Sequence, residues 1–130
     1  MAEPVRLVLC HDDGQFRPAV RALLDDVGPV DVIGEAHGAR ECLRVIRERR
    51  PDVILVDLAM PVLDGLKTFK ALRAGCPDVP CVVMVSSFDA RRFCDRLLEL
   101  GATGCVDKNA PLDELLAILQ LAVAHAHATV

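Results

Sequence analysis

The alternation of short apolar runs with longer amphipathic stretches constrains the fold of this chain more than any other feature. Five runs have the length and composition of strands: 5–10, 30–36, 52–57, 80–87 and 104–108. Five stretches have apolar residues at helical spacing: 16–27, 39–49, 63–75, 89–100 and 111–126. Because strands and helices alternate, the sequence predicts an α/β fold, with a parallel five-stranded sheet covered by helices on both faces.

The composition bounds the class of protein. At 130 residues, of which 52% are hydrophobic, the chain fits one compact domain over residues 1–130. A net charge of -4 and a pI near 5.5 are not typical of domains that bind nucleic acid, which carry excess positive charge. No run approaches the roughly 18 apolar residues of a membrane span, and the N-terminus is unlike a signal peptide. We therefore expect a cytoplasmic domain that by itself binds neither nucleic acid nor membrane.

The six cysteines show no CxxC pair and no metal-ligand spacing; they are Cys10, Cys42, Cys76, Cys81, Cys94 and Cys105. Three of them lie inside predicted strands, where cysteine behaves as a small hydrophobic residue. We therefore expect all six to be reduced thiols, as is usual in the cytoplasm.

Polar side chains stand where the predicted strands end, and in open α/β sheets ligands bind at the carboxyl ends of the strands. These residues are His11, Asp12, Asp13, Asp57, Ser86, Ser87 and Lys108. Each one alone could simply meet water. Together, however, they would bring two separated carboxylates, a hydroxyl and a lysine to one edge of the sheet.

This combination of groups suits phosphoryl transfer. Magnesium prefers oxygen ligands, including one or two carboxylates, which Asp12 and Asp57 could supply. An aspartate beside bound magnesium is also a competent nucleophile toward a phosphoryl group. The metal, Lys108 and the Ser86 hydroxyl would then neutralise the phosphoryl oxygens.

Several segments resemble one known family. "VDLAMPVLDGL" (56–66), "VVMVSS" and "GATGCVDK" are similar to the response-regulator receiver domain of two-component signalling, and the resemblance covers essentially the whole chain. "VIGEAHGARECL" and "KNAPLDELL" further resemble receivers that precede helix-turn-helix output domains. The resemblance implies a flavodoxin-like sheet of order 2-1-3-4-5. It also implies magnesium-assisted phosphorylation of Asp57 by a sensor histidine kinase or a phosphotransfer protein.

The resemblance also implies roles for individual residues. Asp57 would be the phosphoacceptor, Ser86 the switch hydroxyl and Lys108 the phosphate-binding lysine. The backbone carbonyl of Ala59 would join Asp12 and Asp57 as a metal ligand, and the small Ser87 would leave room for the phosphoryl group.

Ala59 and Phe88 lie two residues past Asp57 and Ser86, at positions that flank the phosphoryl group in receivers. Both are apolar, so neither would orient an attacking water, and we expect slow autodephosphorylation. We expect a signalling switch and not an enzyme, because the D-x-D motif and cap insertion of aspartyl-phosphate hydrolases are missing from the sequence.

The end of the first strand departs from the family pattern, which has two acids there. Counting back from Arg17 without a gap places His11 on the first acid and Asp12 on the second, so that Asp13 could cap the next helix. The alternative alignment pairs Asp12 with Asp13 and requires a one-residue deletion. We adopt the ungapped alignment. It predicts weaker magnesium binding, with an affinity that falls as His11 becomes charged near its ordinary pKa of about 6.5.

A second departure is Cys105, which stands where the family usually has an aromatic residue; the chain has no tyrosine or tryptophan. Together with His11, it supports a competing hypothesis: a degenerate receiver that acts as a phosphorylation-independent protein-interaction module. Phosphorylation of Asp57 by a small phosphodonor would separate the two hypotheses.

The last predicted helix has apolar residues on more than one face: Leu112, Leu115, Leu116, Ile118, Leu119, Leu121 and Val123. The surplus indicates either a contact surface for a homodimer or an output domain, or local burial by neighbouring helices. Because the sequence stops soon after this helix, we expect a stand-alone receiver or an excised N-terminal domain.

Overall fold

Five strands and four helices make up the described part of the chain. The computed structural model describes residues 4–11, 22, 30–58, 62–85, 90–107 and 111–128. The elements are β1 (Val5–His11), β2 (Val30–His37), α1 (Ala39–Arg49), β3 (Val53–Leu58), α2 (Val62–Gly75), β4 (Cys81–Val85), α3 (Ala90–Glu99), β5 (Gly104–Asp107) and α4 (Leu112–Ala128). Apart from Ala22, which is helical, the helix predicted over 16–27 lies outside the described residues.

The strands form one parallel sheet in the order β2-β1-β3-β4-β5. This order confirms the flavodoxin-like α/β fold. The strand β2 lies at an edge, and its pairing with β1 shifts register between Leu7 and Val8, which face Val32 and Gly34. The extra residue, Ile33, forms a bulge of the kind common at sheet edges.

Alternate residues of the central strands supply two cores, one on each face of the sheet. On one face, Ile54 and Val56 of β3 pack with buried residues of α1, α2 and α3, among them Phe69. On the other face, Val53 and Leu55 pack with buried residues of α4. The strand β3 is thus apolar on both faces because helices cover it on both.

The amino ends of the strands are held by hydrogen bonds to neighbouring elements. The Arg6 guanidinium donates to the carbonyls of Arg49 (2.6 Å) and Arg50 (2.8 Å), where its charge complements the carboxyl end of α1. The Thr103 hydroxyl accepts from the Cys81 N–H at 3.0 Å, and the Thr103 N–H donates back to the Cys81 carbonyl at 2.8 Å. These bonds align β1 with the end of α1, and the start of β4 with the start of β5.

The cysteines follow the prediction at four positions and depart from it at two. Cys10, Cys42, Cys76 and Cys81 are free and buried. Cys94 and Cys105 form a disulfide, so the prediction that all six are reduced is wrong. The packing of α3 against β5 brings the two Cα atoms to 5.3 Å, within the usual range for a disulfide. Their separation of 11 residues matches no sequence motif, because the contact exists only in the folded chain.

Much of the apolar surface of α4 is buried in the fold. Leu115 and Leu119 are buried, and Leu116 and Ile118 pack against the same core. Leu121 is 71% exposed. Local burial therefore accounts for most of the described apolar side chains of α4, and Leu121 is left on its surface. Among the described helices, none is long and apolar enough to cross a membrane.

Candidate functional site

The carboxyl ends of the sheet's strands meet at one edge, and their register relates the two described site residues, His11 and Asp57. His11 at the end of β1 is the register partner of Asp57 in β3. Asp57 is in turn level with Met84 of β4, and Val85 is level with Asp107 of β5. Because adjacent strands are about 4.8 Å apart, the backbones of His11 and Asp57 are immediate neighbours at this edge.

The structure describes only the backbone at two of the predicted site residues, His11 and Asp57. The others lie outside the described residues: Asp12, Asp13, Ala59, Ser86, Ser87, Phe88 and Lys108. The chain nevertheless enters each of these segments from a strand end at the same edge, since β1, β3, β4 and β5 end at His11, Leu58, Val85 and Asp107. The distances between the site side chains stay predictions.

The register bears on the acidic pair predicted at the end of β1. The strand β1 ends at His11, level with Asp57, and Asp12 is the next residue along the chain. His11 therefore occupies the position in β1 beside the phosphoacceptor candidate, where the ungapped alignment expects an acid. Whether Asp12 or Asp13 completes the pair stays a prediction, because both lie outside the described residues.

No cluster of three or more metal-ligating side chains is found within the described part of the chain. The donors expected from Asp12 and Ala59 are outside that part, and for Asp57 only the backbone is described. A magnesium site at this edge stays a prediction: its expected donors are all oxygens, and two of them, Asp12 and Asp57, come from the neighbouring strands β1 and β3 or the residue that follows.

Buried thiols lie in the strands that lead to this edge. Cys10, directly before His11, is 1% exposed, and its pKa is raised by a hydrogen bond with Cys42 and by burial. Burial raises the pKa of Cys81, at the start of β4, to about 12. Both thiols are therefore protonated near neutral pH, so neither supplies a thiolate nucleophile to the edge.

A cavity of 490 Å³ adjoins the end of β2, and sequence reasoning did not identify it. His37, Gly38, Ala39, Arg40, Glu41 and Arg44 line it. His37 is level with His11 of β1, and its N–H donates to the Glu41 carboxylate at 3.0 Å, which orders the turn into α1. Gly38 occupies that turn with a φ of 82°, a conformation that favours glycine. The carboxyl edge of the sheet therefore continues past β1 to this cavity at the end of β2.

A doubly wound parallel sheet of this order defines the flavodoxin-like class, whose ligands bind at the carboxyl edge of the sheet. In this chain Asp57 lies near the carboxyl end of the central strand. A family model described as "Response regulator receiver domain" matches residues 7–120. The chain belongs to this family, and the resemblance noted in the sequence is confirmed.

Individual relatives agree with this assignment. The chain is 32% identical over 112 residues to the response regulator GacA of Pseudomonas aeruginosa, covering 86% of this chain and 52% of that protein. It is 38% identical over 114 residues to a protein-glutamate methylesterase/protein-glutamine glutaminase of Moorella thermoacetica, covering 86% of this chain and 26% of that protein. The chain thus spans about half, or less, of the length of these two relatives.

A solved structure has the same fold at comparable identity. The signal receiver domain of the putative response regulator NarL from Mycobacterium tuberculosis is 31% identical with a TM-score of 0.74, and the match covers 93% of this chain and 98% of that one. A LuxR-family two-component response regulator from Aurantimonas sp. SI85-9A1 is 25% identical with a TM-score of 0.81, over 95% of this chain and 87% of that one.

Proposed function

We propose that this chain is a phosphoacceptor receiver of a two-component or phosphorelay system, which accepts a phosphoryl group on Asp57 from a histidine kinase or a phosphotransfer protein. The observation that carries the proposal is the register at the carboxyl edge, where Asp57 lies between the ends of β1 and β4. From these strand ends the chain continues directly into Asp12 and Ser86, and from β5 into Lys108.

In the proposed reaction, a carboxylate oxygen of Asp57 attacks the phosphorus of a phosphohistidine. The new O–P bond forms as the N–P bond breaks, and the electron pair of that bond returns to the imidazole. Lys108 supplies positive charge, and the Ser86 hydroxyl donates a hydrogen bond to the phosphoryl oxygens. Asp12, Asp57 and the Ala59 carbonyl would hold magnesium, which supplies further charge neutralisation when bound.

The phosphorylated domain would act as a switch rather than as an enzyme on a separate substrate. New contacts of Ser86 and Lys108 with the phosphoryl group would draw in the segments that follow β4 and β5. These segments join α3 and α4 to the sheet, so the surface of these two helices would change. The exposed Leu121 of α4 makes this surface a candidate contact for a second copy or an output domain.

We further propose transcription regulation as the output, in the cytoplasm. Support comes from one relative, a putative transcriptional regulator of Pseudomonas aeruginosa that is 33% identical over 111 residues. The methylesterase relative shows that receivers of this family also occur in proteins with an enzymatic output.

Phosphorylation by a small acyl phosphate with magnesium tests the proposal. We expect intact-mass measurement to show one phosphoryl group on the wild-type protein and none on the Asp57→Asn variant. The matched control is Asp78→Asn, because Asp78 is an exposed aspartate in the loop before β4, at the opposite edge of the sheet. This control should be phosphorylated like the wild type.

Two outcomes would contradict the proposal. One is a wild-type protein that stays unmodified while magnesium and the phosphodonor are in excess, which is the behaviour of a phosphorylation-independent interaction module. The other is equal phosphorylation of the Asp57→Asn variant, which would place the phosphoacceptor elsewhere.

A further inference from the structure

The disulfide between Cys94 and Cys105 joins two elements that lie beside the carboxyl edge. Cys94 is in the middle of α3, and Cys105 is the second residue of β5. Two residues after Cys105, the strand ends at Asp107. The bond therefore links α3 covalently to the short strand that leads out of the sheet toward residue 108.

This pair differs from the other cysteines in its access to solvent. Cys10, Cys42, Cys76 and Cys81 are each at most 8% exposed, whereas Cys94 and Cys105 are only half-buried. The pair also lines a cavity of 390 Å³. Cys94 and Cys105 are therefore more accessible to a small thiol than the other four cysteines.

Charged groups of both signs line this cavity. Arg91, one helical turn before Cys94, contributes a cation, and Asp107 and Glu114 contribute two carboxylates. A polar reductant that carries both ammonium and carboxylate groups would therefore find partners for both there.

The link matters for α3 because this helix is short. It has 10 residues, fewer than an isolated helix needs to be stable in water. The buried Phe93 and Leu97 pack this helix into the core, and the bond from Cys94 adds a covalent link to β5. Opening the bond would remove that link and leave α3 held by non-covalent contacts.

We propose that Cys94 and Cys105 form a reversible thiol–disulfide site, which exchanges with low-molecular-weight thiols and, when oxidised, clamps α3 to β5. In reduction the Cys94–Cys105 bond breaks, two monothiols deliver two electrons and two protons, and they leave joined as one disulfide. In oxidation that disulfide takes two electrons and two protons from the cysteine pair. Disulfides in reducing compartments are usually of this transient, redox-sensing kind.

A regulatory meaning for the site rests on the proposed function, because α3 and β5 belong to the surface that phosphorylation would change. The redox chemistry itself does not depend on Asp57. Failure of phosphorylation and failure of this site are therefore separate results.

Counting thiols tests the chemistry. The protein is equilibrated in oxidised or in reduced glutathione, the exchange is quenched with acid, and the unfolded chain is alkylated and weighed. We expect four alkylated cysteines after oxidised glutathione and six after reduced glutathione, with the difference confined to the peptides containing Cys94 and Cys105. The Cys105→Ser variant should show five alkylated cysteines after reduced glutathione. After oxidised glutathione it should show four alkylated cysteines and the added mass of one glutathione, because its lone Cys94 can form only a mixed disulfide. As a control, Cys76→Ala should show three alkylated cysteines after oxidised glutathione and five after reduced glutathione.

Amide hydrogen exchange tests the clamp. We expect exchange in residues 90–99 to be about 10-fold to 100-fold faster in the reduced protein, since a disulfide closing so short a loop restricts opening by up to about this factor. Cys94→Ser should exchange like the reduced wild type in either buffer. Six alkylated cysteines in both glutathione buffers would overturn the site, and equal exchange of α3 in the oxidised and reduced proteins would overturn the clamp.

Discussion

At the scale of single residues, His11 is the predicted departure from a standard receiver site. It lies level with Asp57 in the neighbouring strand, and the ungapped alignment places it where the family pattern has an acid. Replacing an acid by a neutral imidazole removes one negative charge from the proposed metal site. Magnesium would then rely on Asp12, Asp57 and the Ala59 carbonyl alone.

The first residue-scale prediction concerns His11→Asp. We expect this substitution to tighten magnesium binding by roughly tenfold, the factor that corresponds to about 1.4 kcal/mol of added attraction. Calorimetric titration of magnesium measures it. The wild-type affinity should fall at acidic pH, where an imidazolium would oppose the metal, while the His11→Asn variant, which cannot become charged at this position, should show a smaller fall. Equal affinities of all three proteins at every pH would contradict the role given to His11.

The second residue-scale prediction concerns the buried thiols. The folded pKa of Cys81 is raised to about 12 by burial, and that of Cys10 is raised as well, against about 8.5 in an unfolded chain. Below pH 8.5 both states hold these protons, so the stabilisation is fully present. As the pH rises from there toward the folded pKa, only the unfolded chain loses protons, and the free energy of unfolding must fall.

We expect this loss to reach about 2 kcal/mol per buried thiol at pH 10. Urea unfolding between pH 8 and pH 10 measures the slope of the free energy of unfolding against pH. The chain has no tyrosine whose ionisation would contribute to this slope. Cys81→Ala should have a shallower slope than the wild type, whatever its stability at pH 7. An unchanged slope in this variant would show that Cys81 ionises equally in both states.

At the scale of elements, the contact between β5 and α4 depends on the first residue of the strand. A Cβ built on Gly104 would overlap the Cγ2 atom of Ile118 on α4. Gly104 is buried and its strand is paired with β4, so relieving the overlap requires packed elements to shift. A side chain at this position would therefore push α4 away from β5.

We expect Gly104→Ala to lower the free energy of unfolding by about 1–3 kcal/mol, the usual cost of overpacking. Removing the opposing side chain should relieve part of it, so the Gly104→Ala/Ile118→Ala double variant should be more stable than the sum of the two single changes predicts. Urea unfolding of the four proteins measures this coupling. Strict additivity would mean that Gly104 and Ile118 are energetically independent.

The elements also show how far the sequence could be interpreted. The apolar run at 52–57 predicts β3 (Val53–Leu58) to within a residue, because burial on both faces requires an unbroken apolar run. The helix predicted over 39–49 coincides with α1, which is amphipathic with Cys42 and Ile46 inward. The order of the strands came from the family resemblance, since the alternation of elements alone allows several orders.

The sequence did not predict the contacts that form only when helices and strands pack together. The pairing of Cys94 with Cys105 depends on how α3 packs on β5, and no spacing along the chain encodes it. The register that sets His11 level with Asp57 also arises only when the strands pair. The sequence thus predicted which residues follow the strand ends, and the fold added the register that places the backbones of His11 and Asp57 side by side.

At the scale of the whole molecule, two cores hold β3 between them, one on each face of the sheet. One core lies under α1, α2 and α3 and the other under α4, and Asp57 is near the carboxyl end of β3. Close-packed cores of this kind shift between discrete arrangements more readily than they deform. A phosphoryl group on Asp57 would therefore act on α3, β5 and α4 as packed units.

The central claim is that phosphorylation of Asp57 changes the surface formed by α3, β5 and α4, and one measurement tests it directly. The protein is treated with a small acyl phosphate and magnesium, followed by hydrogen exchange and peptide mass mapping. We predict that the phosphoryl group is found on the peptide containing Asp57, and that exchange changes in residues 90–99 and 104–107 of the wild type but not of Asp57→Asn. A phosphoryl group on another peptide, or a phosphorylated Asp57 with unchanged exchange in both segments, would contradict the account.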